Sequence, residues 1–187
     1  MASTADFRSG FTFRMEGEIW AIQDFQHVKM GRGGAIVRTK IKNLRSGRVL
    51  EKTFRSGEKV EDVMVERKKM QFLYRSDDEF HFMDNETYEQ TYVPSALIGD
   101  AAKFLREGEI IDIAYDGETP VYIELPVSVE LTVTQTDPGF KGDTAAGGGK
   151  PATVETGAVV TVPFFISEGD KIKVDTRTGA YLERVKS

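Results

Sequence analysis

Lys29-Met30-Gly31-Arg32-Gly33-Gly34-Ala35 lies between two runs, residues 20–28 and 35–41, that are rich in β-branched and aromatic side chains. Runs of that composition on either side of a glycine cluster read as a β-hairpin with the heptapeptide at its tip. A hairpin turns in about two residues. This reading gives the tip residues 29–34, three of them glycine, so its backbone is nearly free of side chains. Arg32 is the one long side chain raised among those glycines, an arrangement suited to presenting a guanidinium to a large, crowded partner.

Beyond the tip, Ala35, Val37, Thr39 and Ile41 alternate with Ile36, Arg38, Lys40 and Lys42. On a pleated strand this sets Arg38, Lys40 and Lys42 on one face and the small or apolar residues on the other. Alternation alone fits a solvated outer face as well as a phosphate-binding one. Lys29 and Arg32, which carry positive charge on to the tip, favour the second. The charge balance agrees. The whole chain is −5, yet residues 1–64 hold 12 Lys+Arg against 8 Asp+Glu, while residues 65–127 hold 6 against 14 and residues 128–187 hold 7 against 8. A locally basic face on an acidic protein binds phosphate at a chosen place while the remainder discourages non-specific contact with RNA.

Taken in order, the chain reads as all-β with three small barrel domains in series, at residues 1–64, 65–127 and 128–187. Short strands at 11–15, 18–28, 35–41 and 48–54 are joined by turns at Glu16-Gly17, 43–47 and 55–57. Residues 94–105 are the one helical stretch, with Leu97, Ala101, Phe104 and Leu105 at helix-face spacing and Gly99 weakening it. That short helix belongs to the middle domain. Residues 158–166 read as an apolar strand, and residues 170–185 as a strand pair. With almost no linker between domains, the series reads as a stiff rod.

Composition narrows the chemistry. At 187 residues, 40% hydrophobic and 29% charged, the chain has ordinary globular composition. No run approaches the roughly 18 apolar residues of a membrane span, and the opening residues lack the regions of a signal peptide, so a cytoplasmic protein without a membrane partner is expected. With no cysteine, and with His27 and His81 the only histidines, neither a metal site nor a cofactor is expected. Gly31-Arg32-Gly33-Gly34 and Gly147-Gly148-Gly149-Lys150 lack the Lys-Ser/Thr and helix of a phosphate loop. Asp77-Asp78 and Asp84 with Glu86 admit a hydrolase reading, but loop acids in an acidic segment are ordinarily solubilising, and no nucleophile with a positioned base stands beside them. Phe7, Phe11, Phe13, Trp20 and Phe25 recur at strand spacing and read as core rather than as a base-stacking platform.

Several segments together resemble one family. These are His27 to Ala35, Val37-Arg38-Thr39-Lys40-Ile41-Lys42-Asn43-Leu44, Phe82-Met83-Asp84 with Thr87-Tyr88-Glu89-Gln90, and Gly142-Asp143-Thr144. Lys150-Pro151-Ala152, Glu155-Thr156-Gly157, Val162-Pro163 and Val174-Asp175-Thr176-Arg177-Thr178-Gly179 complete the set. Over essentially its full length the chain is similar to bacterial elongation factor P, a relative of initiation factor 5A. The resemblance implies an L-shaped monomer whose first barrel is SH3- or KOW-like and whose other two are OB-like. It implies no enzymatic activity. The partners would be the 70S ribosome, peptidyl-tRNA and ribosomal RNA, and the function would be relief of stalling at consecutive prolines. Arg32 falls where the family contacts the CCA end of peptidyl-tRNA, with Lys29, Gly31, Gly33, Gly34, Arg38, Lys40 and Lys42 as RNA-binding residues around it. Gly142, Asp143, Thr144, Tyr181 and Arg184 fall at its exit-site contacts. Many members carry a lysine at the tip that is extended through its amine, a route that a guanidinium excludes. An arginine branch is modified by an arginine rhamnosyl transferase, but its tip is Ser-Gly-Arg-Asn-like, and both a rhamnosylated and an unmodified Arg32 stay open. A general single-stranded RNA-binding OB protein is the alternative function.

Overall fold

The computed structural model describes residues 1–31, 33–139 and 148–186, and among them sixteen strands form three antiparallel sheets. The first sheet contains β1 (Ala2–Ser3), β2 (Thr12–Met15), β3 (Glu18–Met30), β4 (Gly34–Asn43), β5 (Val49–Arg55) and β6 (Lys59–Asp62), in the order β1-β6-β2-β3-β4-β5. Glu16 and Gly17 both take positive φ, 55° and 78°, the pairing that a two-residue hairpin turn demands. They align Phe13 with Trp20 across β2 and β3. Those two rings join Phe7, Phe11, Ile22, Val37, Ile41, Phe54 and Val60 in one buried cluster, in which Phe54 meets Phe7 edge-on at 5.1 Å. The period-two pattern of β4, with Val37, Thr39 and Ile41 buried and Arg38, Lys40 and Lys42 exposed, is the alternation expected from its sequence.

The second sheet contains β7 (Glu66–Ser76), β8 (Glu79–Asp84), β9 (Gln90–Pro94), β10 (Ile110–Asp116) and β11 (Thr119–Glu124), in the order β11-β10-β7-β8-β9. Pro120 and Pro94 sit on the edge strands β11 and β9, where a missing N–H costs no ladder bond. The third sheet contains β12 (Ser128–Thr136), β13 (Lys150–Val154), β14 (Val159–Val162), β15 (Lys171–Asp175) and β16 (Tyr181–Arg184), in the order β14-β13-β12-β15-β16. Its core is almost wholly β-branched or Leu: Val129, Leu131, Val133, Val154, Val160, Val162, Ile166, Ile172 and Val174. By density of internal packing the chain divides into two compact units, residues 1–68 with 113–123 and residues 69–112 with 124–187.

Two local readings are corrected. The helical stretch is not continuous: α1 (Ser95–Ile98) ends at Gly99, and Gly99–Phe104 continues as a 3-10 helix. Gly99 stands at φ 53°, ψ −133°, a conformation closed to residues with a Cβ, so the glycine interrupts the helix that the flanking apolar spacing suggests. The apolar run 158–166 is a strand only over Val159–Val162, because the chain leaves the sheet at Pro163, which cannot donate to the ladder.

Asp175 closes the turn between β15 and β16. Its Oδ1 accepts the N–H groups of Arg177 at 2.8 Å and Thr178 at 3.1 Å. The bond from Arg177 does most to hold its carboxyl below the ordinary value of 3.8, against an opposing desolvation. A depressed carboxyl stabilises the fold fully above that ordinary value, and the contribution disappears as pH falls through the lower folded-state pKa. Asp175→Asn is therefore expected to remove part of the acid limb of a Tm-versus-pH curve without steepening it at neutral pH. Gly99→Ala is expected to destabilise by about 1–3 kcal/mol in urea titration, because an alanine must strain or shift the backbone there.

Candidate nucleic-acid interface

The β3–β4 hairpin is paired from Trp20 opposite Asn43 to Met30 opposite Gly34, with one irregularity between Ile22 and Asp24. The strands run further toward the tip than sequence reasoning allows, with β3 reaching Met30 and β4 beginning at Gly34, inside the stretch 29–34 read as the tip. Gly34 has φ +81°, the left-handed residue on which a three-residue hairpin loop closes. A Cβ at Gly31 or Gly33 would meet nothing within 4 Å. Close packing within the protein therefore does not require either glycine. Arg32 itself lies outside the described residues.

Support for this ribbon comes from β5, which pairs with β4 from Lys42 opposite Val49 to Ile36 opposite Arg55. Ser56 then donates its N–H to the carbonyl of Ala35 at 2.9 Å. Only Lys29 opposite Ala35 and Met30 opposite Gly34 extend as a two-stranded ribbon. Val37 is the last fully buried residue of β4, so the end of the strand at Gly34 stands about 10 Å beyond the core at about 3.3 Å per residue.

Cross-strand partners share a face of a sheet, and the register sorts the basic residues. Arg38 lies between Gln26 and Thr53, and Lys40 between Asp24 and Glu51. Lys42 lies between Ala21 and Val49 on the same outer face. Lys40 is thus flanked by two carboxylates, and the net positive potential of the face comes from Arg38 and Lys42. Arg55, opposite Ile36, adds to that face near the tip. Sequence reasoning placed Arg55 in a turn; extending the strand alternation of residues 48–54 by one residue would have found it. Residues 24–26, 38–40 and 51–53 line a groove of about 370 Å³ there. Lys29, opposite Ala35, belongs to the other face with Phe25 and His27, whose rings meet edge-on at 5.8 Å. Lys29 therefore adds charge to the tip but not to the Arg38–Lys42 column.

Gly142, Asp143 and Thr144 lie outside the described residues. Tyr181 and Arg184 are on β16, three residues apart, yet an irregularity in the β15–β16 pairing sets them opposite Val174 and Ile172, both buried. Tyr181 packs against the core beneath. The Arg184 guanidinium lies 5.6 Å over the ring of Phe165 and 3.9 Å from the Asp170 carboxylate. Phe165 is 60% exposed, a display that sequence reasoning missed by counting it within an apolar strand.

Of the acids considered for hydrolysis, Asp84 is engaged elsewhere. Asp84 is 8% exposed, and its Oδ1 accepts the N–H groups of Glu86 and Thr87 at 2.8 and 3.2 Å, holding the β8–β9 turn. Among the described residues no group of three or more His, Cys, Asp or Glu side chains is placed to hold a metal ion, and no helix is long and apolar enough to cross a membrane.

Comparison with known proteins gives a consistent result. Family models match in series: the elongation factor P KOW-like domain at residues 3–60, the elongation factor P OB domain at 65–123, and the elongation factor P C-terminal domain at 129–184. The chain is 54% identical to elongation factor P of Mycobacterium avium and 52% identical to that of Mycobacterium tuberculosis, in each case over the full length of both chains. Among solved structures, a translation initiation factor eif-5a family protein from Naegleria fowleri superposes with a TM-score of 0.50 at 14% identity, over 66% of this chain and 94% of that one. That likeness is one of fold. Three family models in order and relatives of more than half identity leave no gap in the assignment: the chain belongs to the elongation factor P family of translation factors.

Proposed function

We propose that this protein binds the ribosome beside peptidyl-tRNA and promotes peptide-bond formation at consecutive prolines by holding the CCA end of that tRNA in reactive geometry. The observation that carries the reading, in a chain of this family, is a hairpin backed by a third strand to within two rows of a glycine tip that bears Arg32. Proline is a hindered secondary amine of fixed φ and aligns poorly as an acceptor. Orienting the peptidyl-tRNA lowers the barrier largely through orientation entropy, without any acid or base from the factor, and the ribosome remains the catalyst. Arg32 forks onto phosphate oxygens or stacks on a base. Gly31, Gly33 and Gly34 let the backbone approach RNA, while Lys29, Arg38, Lys40 and Lys42 contact phosphates of tRNA or ribosomal RNA. Gly142, Asp143, Thr144, Tyr181 and Arg184 anchor the far end at the exit site. The working segments are residues 1–64, 65–127 and 128–187, and the protein acts as a cytoplasmic monomer.

In vitro synthesis of a Pro-Pro-Pro reporter tests this directly. Wild-type protein is expected to restore full-length product, and failure to do so while a control reporter translates normally removes the proposal. Arg32→Ala is expected to lose rescue while unfolding free energy shifts by no more than about 0.5 kcal/mol. Rescue equal to wild type would show that the tip is not the active element. Arg38→Ala with Lys42→Ala is expected to weaken ribosome binding and flatten its salt dependence, since each cation lost releases fewer counterions. Whether an arginine rhamnosyl transferase acts on Arg32 is decided by the intact mass of protein from its source cell, where the sequence mass alone means no sugar.

A further inference from the structure

Tyr74, His81 and Tyr92 form a row across three adjacent strands of the second sheet. The register sets Tyr74 opposite His81 and His81 opposite Tyr92, so the three rings share one side of β7-β8-β9. The other side carries Phe72, Phe80, Phe82 and Val93, all buried. Tyr74 stacks on His81 with centroids 4.5 Å apart and planes 12° apart, and Tyr92 stands 6.4 Å from His81, tilted 48°. One stacked pair is ordinary packing. The unusual feature is that Tyr74 and Tyr92 stay 46% and 53% exposed.

Elsewhere the chain supplies its own cations to its rings: Arg48 lies over Trp20, Arg67 over Tyr122, Arg75 over Phe80 and Arg184 over Phe165. Among the described residues no cation lies over Tyr74 or Tyr92 in this way.

Charge identifies the occupant. Residues 71–94 carry Asp77, Asp78, Glu79, Asp84, Glu86 and Glu89 against the single cation Arg75. Glu79 places Oε2 3.5 Å from His81 Nε2 with its side chain 47% exposed. Such a surface repels a phosphate backbone. It suits a guanidinium, which stacks flat on tyrosine and turns its N–H groups to a neighbouring carboxylate. We propose that the Tyr74-His81-Tyr92 face is a docking site for an arginine-bearing basic segment of a partner protein, the exposed rings taking the guanidinium and Glu79 pairing its charge. This site does not depend on the reading of the hairpin, and its test needs no ribosome.

Full-length protein is titrated with short Arg-Gly, Lys-Gly and Glu-Gly repeat peptides and with an oligouridylate, by calorimetry and by NMR of the His81 ring. The Arg-Gly peptide is expected to bind and to shift the His81 signals, Lys-Gly to bind more weakly, and Glu-Gly and the oligouridylate to leave those signals in place. Tyr92→Ala and Glu79→Gln are each expected to weaken Arg-Gly binding about five- to tenfold, while Tyr92→Phe, which keeps the ring, retains it. Glu79→Gln is nearly isosteric and preserves the test should Tyr92→Ala perturb the sheet. Absence of Arg-Gly binding, undiminished binding by both weakening variants, or a stronger response of His81 to the oligouridylate, which would make this an RNA face, overturns the proposal.

Discussion

Backbone pairing between β3 and β4 is the interaction on which the rest depends. A two-stranded ribbon alone is marginal in water, and a tip at the end of a loose ribbon would wander too far to position anything. Here the ribbon is rooted in an aromatic cluster at Trp20 and Ile41 and flanked by β2 at its base and by β5 along most of its length. The Ser56 to Ala35 hydrogen bond continues that support one row past the end of the strand pairing. The first sheet therefore backs its own hairpin almost to the turn.

Charge follows the same division of labour. On the hairpin's outer face, Asp24 and Glu51 flank Lys40 and leave Arg38, Lys42 and Arg55 as the net cations. Positive potential is thereby confined to a narrow column. A uniformly basic sheet would bind any RNA, whereas a column tempered by carboxylates binds weakly except where geometry aligns several contacts at once. The Tyr74-His81-Tyr92 face, set among the acids of residues 77–89, has the opposite charge preference. Two surfaces of opposite preference on one small chain suit a partner built of both RNA and basic protein.

Alternation and turn chemistry made much of this legible before the structure was known. The period-two pattern of residues 35–42 placed Arg38, Lys40 and Lys42 on one face correctly, and Glu16-Gly17 marked its hairpin through a glycine that takes positive φ freely. What escaped was governed by register, which sequence spacing does not state. Lys29 looked continuous with the basic column, but pairing with Ala35 turns it to the opposite face. Tyr181 and Arg184 are three residues apart, and only the β15–β16 irregularity sets both opposite buried residues of β15. The Tyr74-His81-Tyr92 row was invisible for the same reason, since its members lie on different strands and only pairing aligns them.

Glycine content misleads in a related way. The cluster at residues 31–34 resembled a long flexible turn, yet only Gly34 has a conformation that demands glycine, and a Cβ at Gly31 or Gly33 would touch nothing in the protein. Internal packing therefore gives no reason for those two glycines. Gly99, by contrast, is fixed by its own backbone dihedrals and answers to the fold alone. The contrast separates a glycine that its own backbone requires from two positions where the fold itself would accept a side chain.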